Sequence, residues 1–454
     1  MKIIVVGCGK VGIAIVEQLV AEGHTITVVD TNKEKLNTRL NGLDVMTYCG
    51  DGCSSSTLEG AGIDKTDLFI AAMDSDETNL LSCVIAKKKG KCKTIARVRN
   101  PIYNMETYFL MKELDIDMVV NPEMMTAYEF SRIFKFPYAS QIDTFLNDRV
   151  ELVHFKIKPD SNLKGTRLMD MRSKHNCNVL ISMVERGDEV YIPDGHFVLE
   201  EGDMVGAVGT MREIYTFFKK FGFATKKASN VIIVGGGKTG FYLARNLISS
   251  GISVKIIEID KARCDFLAEN LPEADVICGD GTAKEILLEE GIENAAGLAA
   301  LTSIDEENIL LSINAMSLTD VKTATKVSRT NFEEVINRMN LDTIIFPNKI
   351  VSDRILQFVR SLQYTMGSNI EYFRRLGGGK AEALSFRITE ESAVTGVPLS
   401  ELQMKKGVLI CIISRKGKNI IPTGSDTLEV GDRVVIVHTK VDIKNIEDIM
   451  ELEF

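Results

Sequence analysis

The chain carries the same glycine-rich turn twice, each time between an apolar run and a helical pattern, and this duplication limits its fold more than any other feature. The first copy is Gly7-Cys8-Gly9-Lys10-Val11-Gly12, and the second is Gly235-Gly236-Gly237-Lys238-Thr239-Gly240. A strand that enters a helix through Gly-x-Gly-x-x-Gly aims free backbone N–H groups and the positive end of the helix dipole at one point. Glycine at that point lets a pyrophosphate approach the main chain closely. Both turns are therefore candidate phosphate sites.

An acidic residue follows each turn at the same distance. Asp30 comes 23 residues after Gly7 (30 − 7 = 23), and Glu258 comes 23 residues after Gly235 (258 − 235 = 23). Each acid ends a run rich in β-branched residues, so both are predicted to lie at the end of a strand. A carboxylate in that position can accept hydrogen bonds from the adenosine ribose hydroxyls, and it repels a 2′-phosphate. The repeated combination favours two dinucleotide-binding crevices over two glycine turns without a ligand.

Predicted strands alternate with predicted helices after each turn. In the first half, strands are expected at Lys2–Val6, Thr25–Asp30, Asp44–Gly50, Asp67–Met73, Thr94–Arg99 and Asp117–Asn121. The second half repeats the pattern at an offset of 228 or 229 residues, since Gly235 follows Gly7 by 228 and Asp280 follows Asp51 by 229. Each half therefore predicts an α/β fold with a Rossmann-like, doubly wound parallel sheet, which binds ligands at the carboxyl ends of its strands.

Each predicted sheet is followed by an apolar helix, at Glu123–Phe136 and at Asn348–Leu362, and then by a small module of short strands. The apolar residues of the second helix recur at helical spacing. Such a stripe fits either ordinary burial within the chain or a crossover or dimerisation helix. Short strands such as Val179–Val184 and Val408–Ser414 indicate an antiparallel α+β module in each half.

The repeat divides the chain into six expected segments. Rossmann-like domains are expected at 1–122 and 226–347, and crossover helix regions at 123–140 and 348–369. The small α+β modules are expected at 141–225 and 370–454, and Lys219–Lys227 joins the two halves.

One aspartate follows the third predicted strand of each half, inside Gly-Asp-Gly. Asp51 and Asp280 could each meet the amino edge of adenine, or each could satisfy the backbone of its own turn. Met73 and Asp74 follow at the end of the fourth strand, where the backbone approaches the ribose of a dinucleotide.

Arg97 and Arg99 are predicted on the fifth strand, where a period of two places them on the same face. A guanidinium there could pair with a phosphate, or it could form a salt bridge on an exposed face. Lys326 takes the place of Arg97 in the second half (326 − 97 = 229), and Ser303 takes that of Asp74 (303 − 74 = 229).

Composition argues against several other classes of protein. A net charge of −9 without a long basic cluster is unlike a nucleic-acid-binding surface. The nine cysteines are scattered and odd in number, which fits reduced cytosolic thiols better than a disulfide framework or a zinc site. The chain opens directly on a predicted strand, so no signal peptide is expected, and no window approaches the roughly 20 apolar residues of a membrane span. Any role at a membrane is expected to run through a partner.

No catalytic constellation emerges from the sequence. Gly237-Lys238-Thr239 suggests a P-loop, but Ile232 stands where that motif requires its first glycine. No nucleophile elbow or metal-binding histidine pair is present either.

The two glycine turns with their acids, the repeated Gly-Asp-Gly, Asp76-Glu77-Thr78-Asn79 and Ala96-Arg97-Val98-Arg99-Asn100-Pro101 together resemble the TrkA family. Its members are cytosolic regulatory subunits of Trk potassium uptake systems, built from tandem RCK domains. The resemblance covers the whole chain, including both small modules.

This resemblance implies a non-enzymatic protein whose Rossmann-like domains bind NAD(H), with ATP or ADP competing for related pockets. It implies a homo-oligomer, a tetramer with its RCK domains in a ring, that docks from the cytoplasm on a potassium-translocating membrane subunit. Carried over by position, Gly7 through Val11 would hold the pyrophosphate and Asp30 the ribose, while Met73, Asp74 and Arg97 would contact the rest of the dinucleotide. Gly235 through Thr239, Glu258 and Lys326 would correspond in the second half. The competing hypotheses are an NAD-dependent oxidoreductase with duplicated Rossmann domains and a free-standing nucleotide sensor.

Overall fold

The computed structural model describes residues 1–451 except 102, 104–105, 137, 146–149, 160, 176, 224–227, 330–332, 340, 365–369 and 440–442. The end of the expected linker, at 224–227, lies outside the described residues. The chain forms two compact units. One combines Met1–Ser131 with Ser229–Val359, and the other combines Arg132–Ala228 with Arg360–Phe454.

The first half of the first unit is a six-stranded parallel sheet with the order β3-β2-β1-β4-β5-β6. Its strands are β1 (Lys2–Val6), β2 (Thr25–Asp30), β3 (Met46–Cys49), β4 (Leu68–Ala71), β5 (Lys93–Arg97) and β6 (Met118–Val120). Its helices are α1 (Lys10–Ala21), α2 (Lys33–Arg39), α3 (Ser55–Gly60), α4 (Asp76–Gly90) and α5 (Thr107–Glu113). The strand order reverses between β1 and β4, which creates the crevice in which such sheets bind ligands.

The first small module follows helix α6 (Pro122–Lys135) and contains a five-stranded antiparallel sheet. Its elements are β7 (Gln141–Phe145), β8 (Val150–Lys156), α7 (Leu168–Ser173), β9 (Leu180–Arg186), β10 (Glu189–Tyr191), β11 (Met204–Gly209) and α8 (Met211–Lys220). Thr210 begins α8 with a capping box to Glu213, and the buried Phe217 and Phe218 of α8 pack on Phe155 of β8.

The second parallel sheet repeats the order of the first, as β14-β13-β12-β15-β16-β17. Its elements are β12 (Asn230–Val234), α9 (Lys238–Ile248), β13 (Ser253–Glu258), α10 (Lys261–Asn270), β14 (Asp275–Cys278), α11 (Lys284–Glu289), β15 (Gly297–Ala300), α12 (Asp305–Leu318), β16 (Lys322–Lys326), α13 (Glu333–Asn337) and β17 (Ile344–Ile345). The fold is therefore α/β, with two Rossmann-like parallel sheets that each precede a small antiparallel module.

The second small module follows helix α14 (Pro347–Tyr364) and has the strand order β18-β19-β22-β20-β21. Its strands are β18 (Ile370–Leu376), β19 (Ala381–Arg387), β20 (Val408–Arg415), β21 (Lys418–Ile420) and β22 (Arg433–His438). An apolar cluster joins side chains of the two small modules, among them Leu152, Met183, Cys411 and Val435. This cluster makes the second unit a single body.

The apolar stripe on α14 is largely buried within the chain itself. Val351, Ile355 and Val359 are inaccessible to solvent, whereas Phe358 and Leu362 are partly exposed. Among the described residues, none of the helices combines the length and the apolar character that crossing a lipid bilayer requires.

Candidate functional site

The three glycines of the first turn have different structural roles. Gly7 has φ +102°, and a Cβ there would lie 2.8 Å from the carbonyl carbon of Ala72. A Cβ on Gly12 would lie 1.9 Å from the carbonyl oxygen of Gly7. A Cβ on Gly9, by contrast, would meet nothing within 4 Å. The fold explains Gly7 and Gly12, while Gly9 leaves open space at the amino end of α1.

The second turn has the same geometry. Gly235 has φ +105°, a Cβ on Gly240 would lie 2.2 Å from the oxygen of Gly235, and a Cβ on Gly237 would meet nothing within 4 Å. Both turns thus keep an open approach to free N–H groups at a helix amino end. This is the feature that a bound pyrophosphate requires.

Each acid at the end of the second strand contacts the neighbouring glycine turn. Asp30 Oδ2 accepts a hydrogen bond from Cys8 N at 2.7 Å, and Oδ1 accepts one from Asn32 N at 2.8 Å. Glu258 Oε2 accepts from Gly236 N at 2.7 Å in the same manner. A carboxylate oxygen can accept two hydrogen bonds, so each acid retains acceptor capacity for ribose hydroxyls.

Two arginines that sequence reasoning missed also hold these turns. Arg39 Nη1 donates to the carbonyl of Cys8 at 3.1 Å, and Arg263 Nε donates to that of Gly236 at 2.7 Å. Because they come from different positions of α2 and α10, no repeat in the sequence points to them.

Asp51 and Asp280 both bond to their own turns. Asp51 Oδ1 accepts from Cys53 N at 2.9 Å, and Asp280 Oδ1 accepts from Thr282 N at 2.9 Å and from its hydroxyl at 2.7 Å. These bonds, from the hydroxyl first and then the N–H, hold the pKa of Asp280 below its usual range. The geometry thus shows both aspartates bonded to the backbone of their own turns. Asp280 also lines the second crevice.

A buried asparagine joins the ends of the fourth and fifth strands in each half. Asn79 accepts from Met73 N at 2.8 Å and donates to the carbonyls of Met73 and Arg97 at 3.0 and 2.9 Å. Asn308 makes the same three contacts with Thr302 and Lys326. These asparagine hydrogen bonds position the backbone at the rim of each crevice. The repeated Asp-Glu-x-Asn in the sequence could have indicated them.

Arg97 is the last residue of β5, and Arg99 lies beyond the strand, contrary to the expected boundary at Arg99. Arg97 Nη2 lies 3.9 Å from Glu123 Oε1. Burial lowers the pKa of Arg97, and the carboxylate of Glu123 opposes that effect. Arg99 turns away to the carbonyl of the exposed Asp74 and to Asp76. The two arginines therefore do not act as a pair at the rim.

The second crevice is an open cleft of about 590 Å³ at the carboxyl ends of β12, β13 and β15. Lys326 donates to the carbonyl of Leu301 at its edge, at 3.1 Å. Burial lowers the pKa of Lys326, Asp305 and Glu123 oppose this, and Lys10 adds to it. Residues that line the cleft include Gly235, Gly237, Lys238, Thr239, Glu258, Asp280, Ser303, Lys326 and, from the first half, Glu123.

The two parallel-sheet halves meet beside these crevices. Tyr242 of α9 is buried, and its hydroxyl donates to the carbonyl of Arg99 and accepts from Asn121 Nδ2, both at 3.2 Å. Glu123, two residues after Asn121, lies between Arg97 of the first half and the cleft of the second. Sequence reasoning missed this junction because no local pattern shows which residues of one half reach the other.

Comparison with known proteins extends these observations over the whole chain. The TrkA-N domain model matches residues 3–122 and 231–347, and the TrkA-C domain model matches residues 152–222 and 383–451. The Trk system potassium uptake protein TrkA homolog 1 of Methanosarcina mazei is 30% identical over 444 residues, covering 96% of this chain and 97% of that protein. The Trk system potassium uptake protein TrkA of Halomonas elongata is 30% identical over 457 residues, covering 100% of this chain and 98% of its own.

Solved structures show the same fold at lower identity. The GsuK RCK domain superposes with a TM-score of 0.66 at 16% identity, covering 97% of this chain and 92% of that chain. The GsuK channel bound to NAD gives a TM-score of 0.64 at 18% identity, covering 97% of this chain and 77% of that chain. With both TrkA domain models matched twice and full-length relatives at 30% identity, the chain belongs to the TrkA family.

Proposed function

We propose that this chain is a nucleotide-sensing regulatory subunit that gates potassium uptake through a Trk-type membrane subunit. The observation that carries the proposal is the pair of glycine turns in which Gly9 and Gly237 face open space, each beside an acid bonded to the turn. The choice of a Trk potassium uptake system rests on the names of the full-length relatives.

In the first crevice, the backbone from Gly7 to Val11 holds the pyrophosphate of NAD(H) at the amino end of α1. Asp30 accepts the ribose hydroxyls. Met73 and Asp74 present their backbone to the rest of the dinucleotide. Arg97, whose charge Glu123 supports at 3.9 Å, supplies positive charge near the phosphates.

In the second crevice, Gly235 through Thr239 and Glu258 have the corresponding roles, and Lys326 replaces Arg97. Both crevices are proposed to accept NAD(H) or an adenine nucleotide, ATP or ADP. A ligand moves a conformational equilibrium only by its different affinities for the two states. We propose that Glu123 couples the two crevices in such a change, because it lines the second cleft and lies 3.9 Å from Arg97 of the first.

The domain division at 1–122, 123–140, 141–225, 226–347, 348–369 and 370–454 remains part of this proposal. So do a homotetramer and a position on the cytoplasmic face of the membrane. Exposed apolar side chains in both halves support self-association. They are Leu81 and Leu310 on α4 and α12, Tyr108 and Phe109 on α5, and Val335 on α13.

The test is a pull-down from membranes that contain a Trk-type membrane subunit, with the purified chain as bait. We expect the membrane subunit to be retained, and its retention to differ between samples with and without NADH. The same chain mixed with NADH and carbonyl substrates should show no substrate-dependent loss of absorbance at ~340 nm, the band of the reduced nicotinamide. Turnover of NADH in that assay, with no membrane subunit retained in the pull-down, would contradict the regulatory function and favour an oxidoreductase.

The ribose contact has its own test. Asp30→Ala removes an acceptor of charge-assisted hydrogen bonds, so we expect NADH affinity at the first crevice to fall by about tenfold or more. Isothermal titration calorimetry measures it, with Asp188→Ala in the small module as the matched control. An unchanged dissociation constant would mean that the ribose lies elsewhere.

A further inference from the structure

Two cysteines lie next to the end of β13, beside the second crevice. Cys264 lies in the first turn of α10 and is buried, whereas Cys278 ends β14 and is exposed. In the sheet, Cys278 is the register partner of Glu258. Cys264 Sγ donates to the carbonyl oxygen of Glu258 at 3.3 Å, and Gly279 N, next to Cys278, donates to the same oxygen at 2.9 Å. Both cysteines therefore lie next to the carbonyl group of Glu258.

We propose that Cys264 and Cys278 are a modification site, a dithiol that a hydroperoxide converts reversibly to a disulfide. One cysteine lies on a helix and the other at the end of a strand, so a disulfide between them ties α10 to β14 beside Glu258. The disulfide would act on the nucleotide cleft, because the turn that follows Cys278, Gly279-Asp280-Gly281, is part of the lining of that cleft.

The order of the reaction follows from exposure. Burial, with the neighbouring Cys278 adding to it, raises the pKa of Cys264 to about 11, so Cys264 is protonated at neutral pH. Exposed Cys278 therefore meets the oxidant first: its sulfur attacks the peroxide, the O–O bond breaks, water or an alcohol leaves, and a sulfenic acid remains. Cys264 Sγ then attacks that sulfur, the S–O bond breaks, and the hydroxyl leaves as water with the thiol proton. Two electrons pass from the two sulfurs to the peroxide, and a dithiol reductant reverses the change.

The first half of the chain offers an internal control. Cys49 ends β3 at the place that matches Cys278 (278 − 49 = 229), and it is also exposed. Lys35 stands where Cys264 stands in the second half (264 − 35 = 229). Cys49 Sγ donates instead to the carbonyl of Thr31 at 3.5 Å. The same strand end thus carries a thiol whose counterpart at the position of Cys264 is a lysine.

The experiment treats the full-length chain with hydrogen peroxide and maps thiols by mass spectrometry without reduction. Because Glu269 and Glu273 lie between the two cysteines, a protease that cuts after glutamate separates them into peptides that stay joined only by a disulfide. We expect the Cys264 and Cys278 peptides to appear joined, and to separate after dithiothreitol. Cys49 should accumulate as sulfenic or sulfinic acid.

Cys264→Ser keeps a donor to the carbonyl of Glu258 and should leave Cys278 as a sulfenic acid that dimedone traps. The proposal is overturned if wild-type Cys278 proceeds to sulfinic acid while Cys264 remains free. It is equally overturned if Cys278 joins only to a second copy of the chain.

One further arm rests on the proposed nucleotide site. Adenosine held by Glu258 would cover Cys278, so saturating ADP should slow formation of the disulfide by about threefold or more. The measurement uses the Asp30→Ala variant, in which the first crevice is disabled. In that variant ADP should not slow the oxidation of Cys49. Disulfide formation at an unchanged rate would place the nucleotide elsewhere and leave the dithiol assignment standing. Absence of the disulfide with and without ADP would remove the dithiol assignment alone.

Discussion

At the residue scale, the middle glycine of each Gly-x-Gly-x-x-Gly motif, Gly9 or Gly237, has a different role from the other two glycines of the motif. Gly9 has φ −81° and ψ −176°, which any residue adopts, and the space beside it is open. Gly12 cannot carry a side chain because its Cβ would overlap the carbonyl oxygen of Gly7. Gly12 therefore contributes to the stability of the fold, whereas Gly9 matters for what approaches the turn.

This separation predicts opposite outcomes for two single methyl additions. Gly9→Ala should unfold at nearly the wild-type temperature but bind NADH at least tenfold more weakly, about 1.4 kcal/mol. Gly12→Ala should lose about 2 kcal/mol or more of unfolding free energy, because the turn must shift. Calorimetric titration and thermal unfolding of both variants measure this, and tight NADH binding by folded Gly9→Ala would contradict the pyrophosphate assignment.

At the element scale, Asp117 ties three elements of the first sheet together. It precedes β6 and accepts from Lys87 of α4 at 2.7 Å, from Lys93 of β5 at 2.7 Å and from Thr94 N at 2.9 Å. Burial raises the pKa of Asp117, but the two ammonium groups and the N–H outweigh it, so its pKa lies below the usual value. The folded state therefore favours the ionised form.

The sign of the pH dependence follows from this depressed pKa. Asp117 stabilises the fold above its unfolded pKa of about 3.9, and that contribution is lost as the pH falls through the lower folded pKa. Asp117→Asn should lower the unfolding free energy by about 2 kcal/mol near pH 7, and the difference from wild type should shrink in acid. Urea unfolding from about pH 7 to pH 3 measures it.

Asp342 offers a matched control for that experiment. It accepts from Thr323 N at 3.0 Å in the second half, but Met316 stands where Lys87 stands in the first (316 − 87 = 229). Asp342→Asn should therefore lower the unfolding free energy by less than Asp117→Asn does. An equal cost in both halves would show that Lys87 contributes nothing to the pair.

At the scale of the whole molecule, the two parallel-sheet halves are joined through Tyr242. Tyr242→Phe removes the hydroxyl and leaves Asn121 Nδ2 without that acceptor, so the unfolding free energy should fall by about 1–2 kcal/mol. Tyr108→Phe, at a side chain that is 82% exposed, is the control and should change it by less than about 0.5 kcal/mol. Denaturant unfolding compares the two, and equal effects would argue that the junction is energetically neutral.

The switching proposal makes a prediction at the same scale. If NADH and ATP favour different conformational states, small-angle scattering curves of the apo, NADH-saturated and ATP-saturated chain should differ. Glu123→Gln keeps the shape of the side chain and removes the charge shared by the two crevices, so it should reduce that difference. Identical curves in all three wild-type states would contradict a switch that works by rearrangement.

Sequence alone determined the repeated βα turn, the acid that follows it and the βαβ alternation that makes each sheet parallel. These features are local: a strand, three glycines and one carboxylate lie within a single βαβ unit, and sterics fix their geometry. Several strands were expected to extend one or two residues beyond their observed ends, as at Arg99, because sheet pairing decides where a strand stops.

Tertiary structure alone decided the contacts between segments that lie far apart in the chain. The strands β7 and β8 were not predicted, since β8 pairs with β11, some fifty residues later, and strand propensity depends on such neighbours. The approach of Glu123 to the second crevice and the junction at Tyr242 likewise arise from packing. No periodicity encodes them, because each depends on how one folded element lies against another.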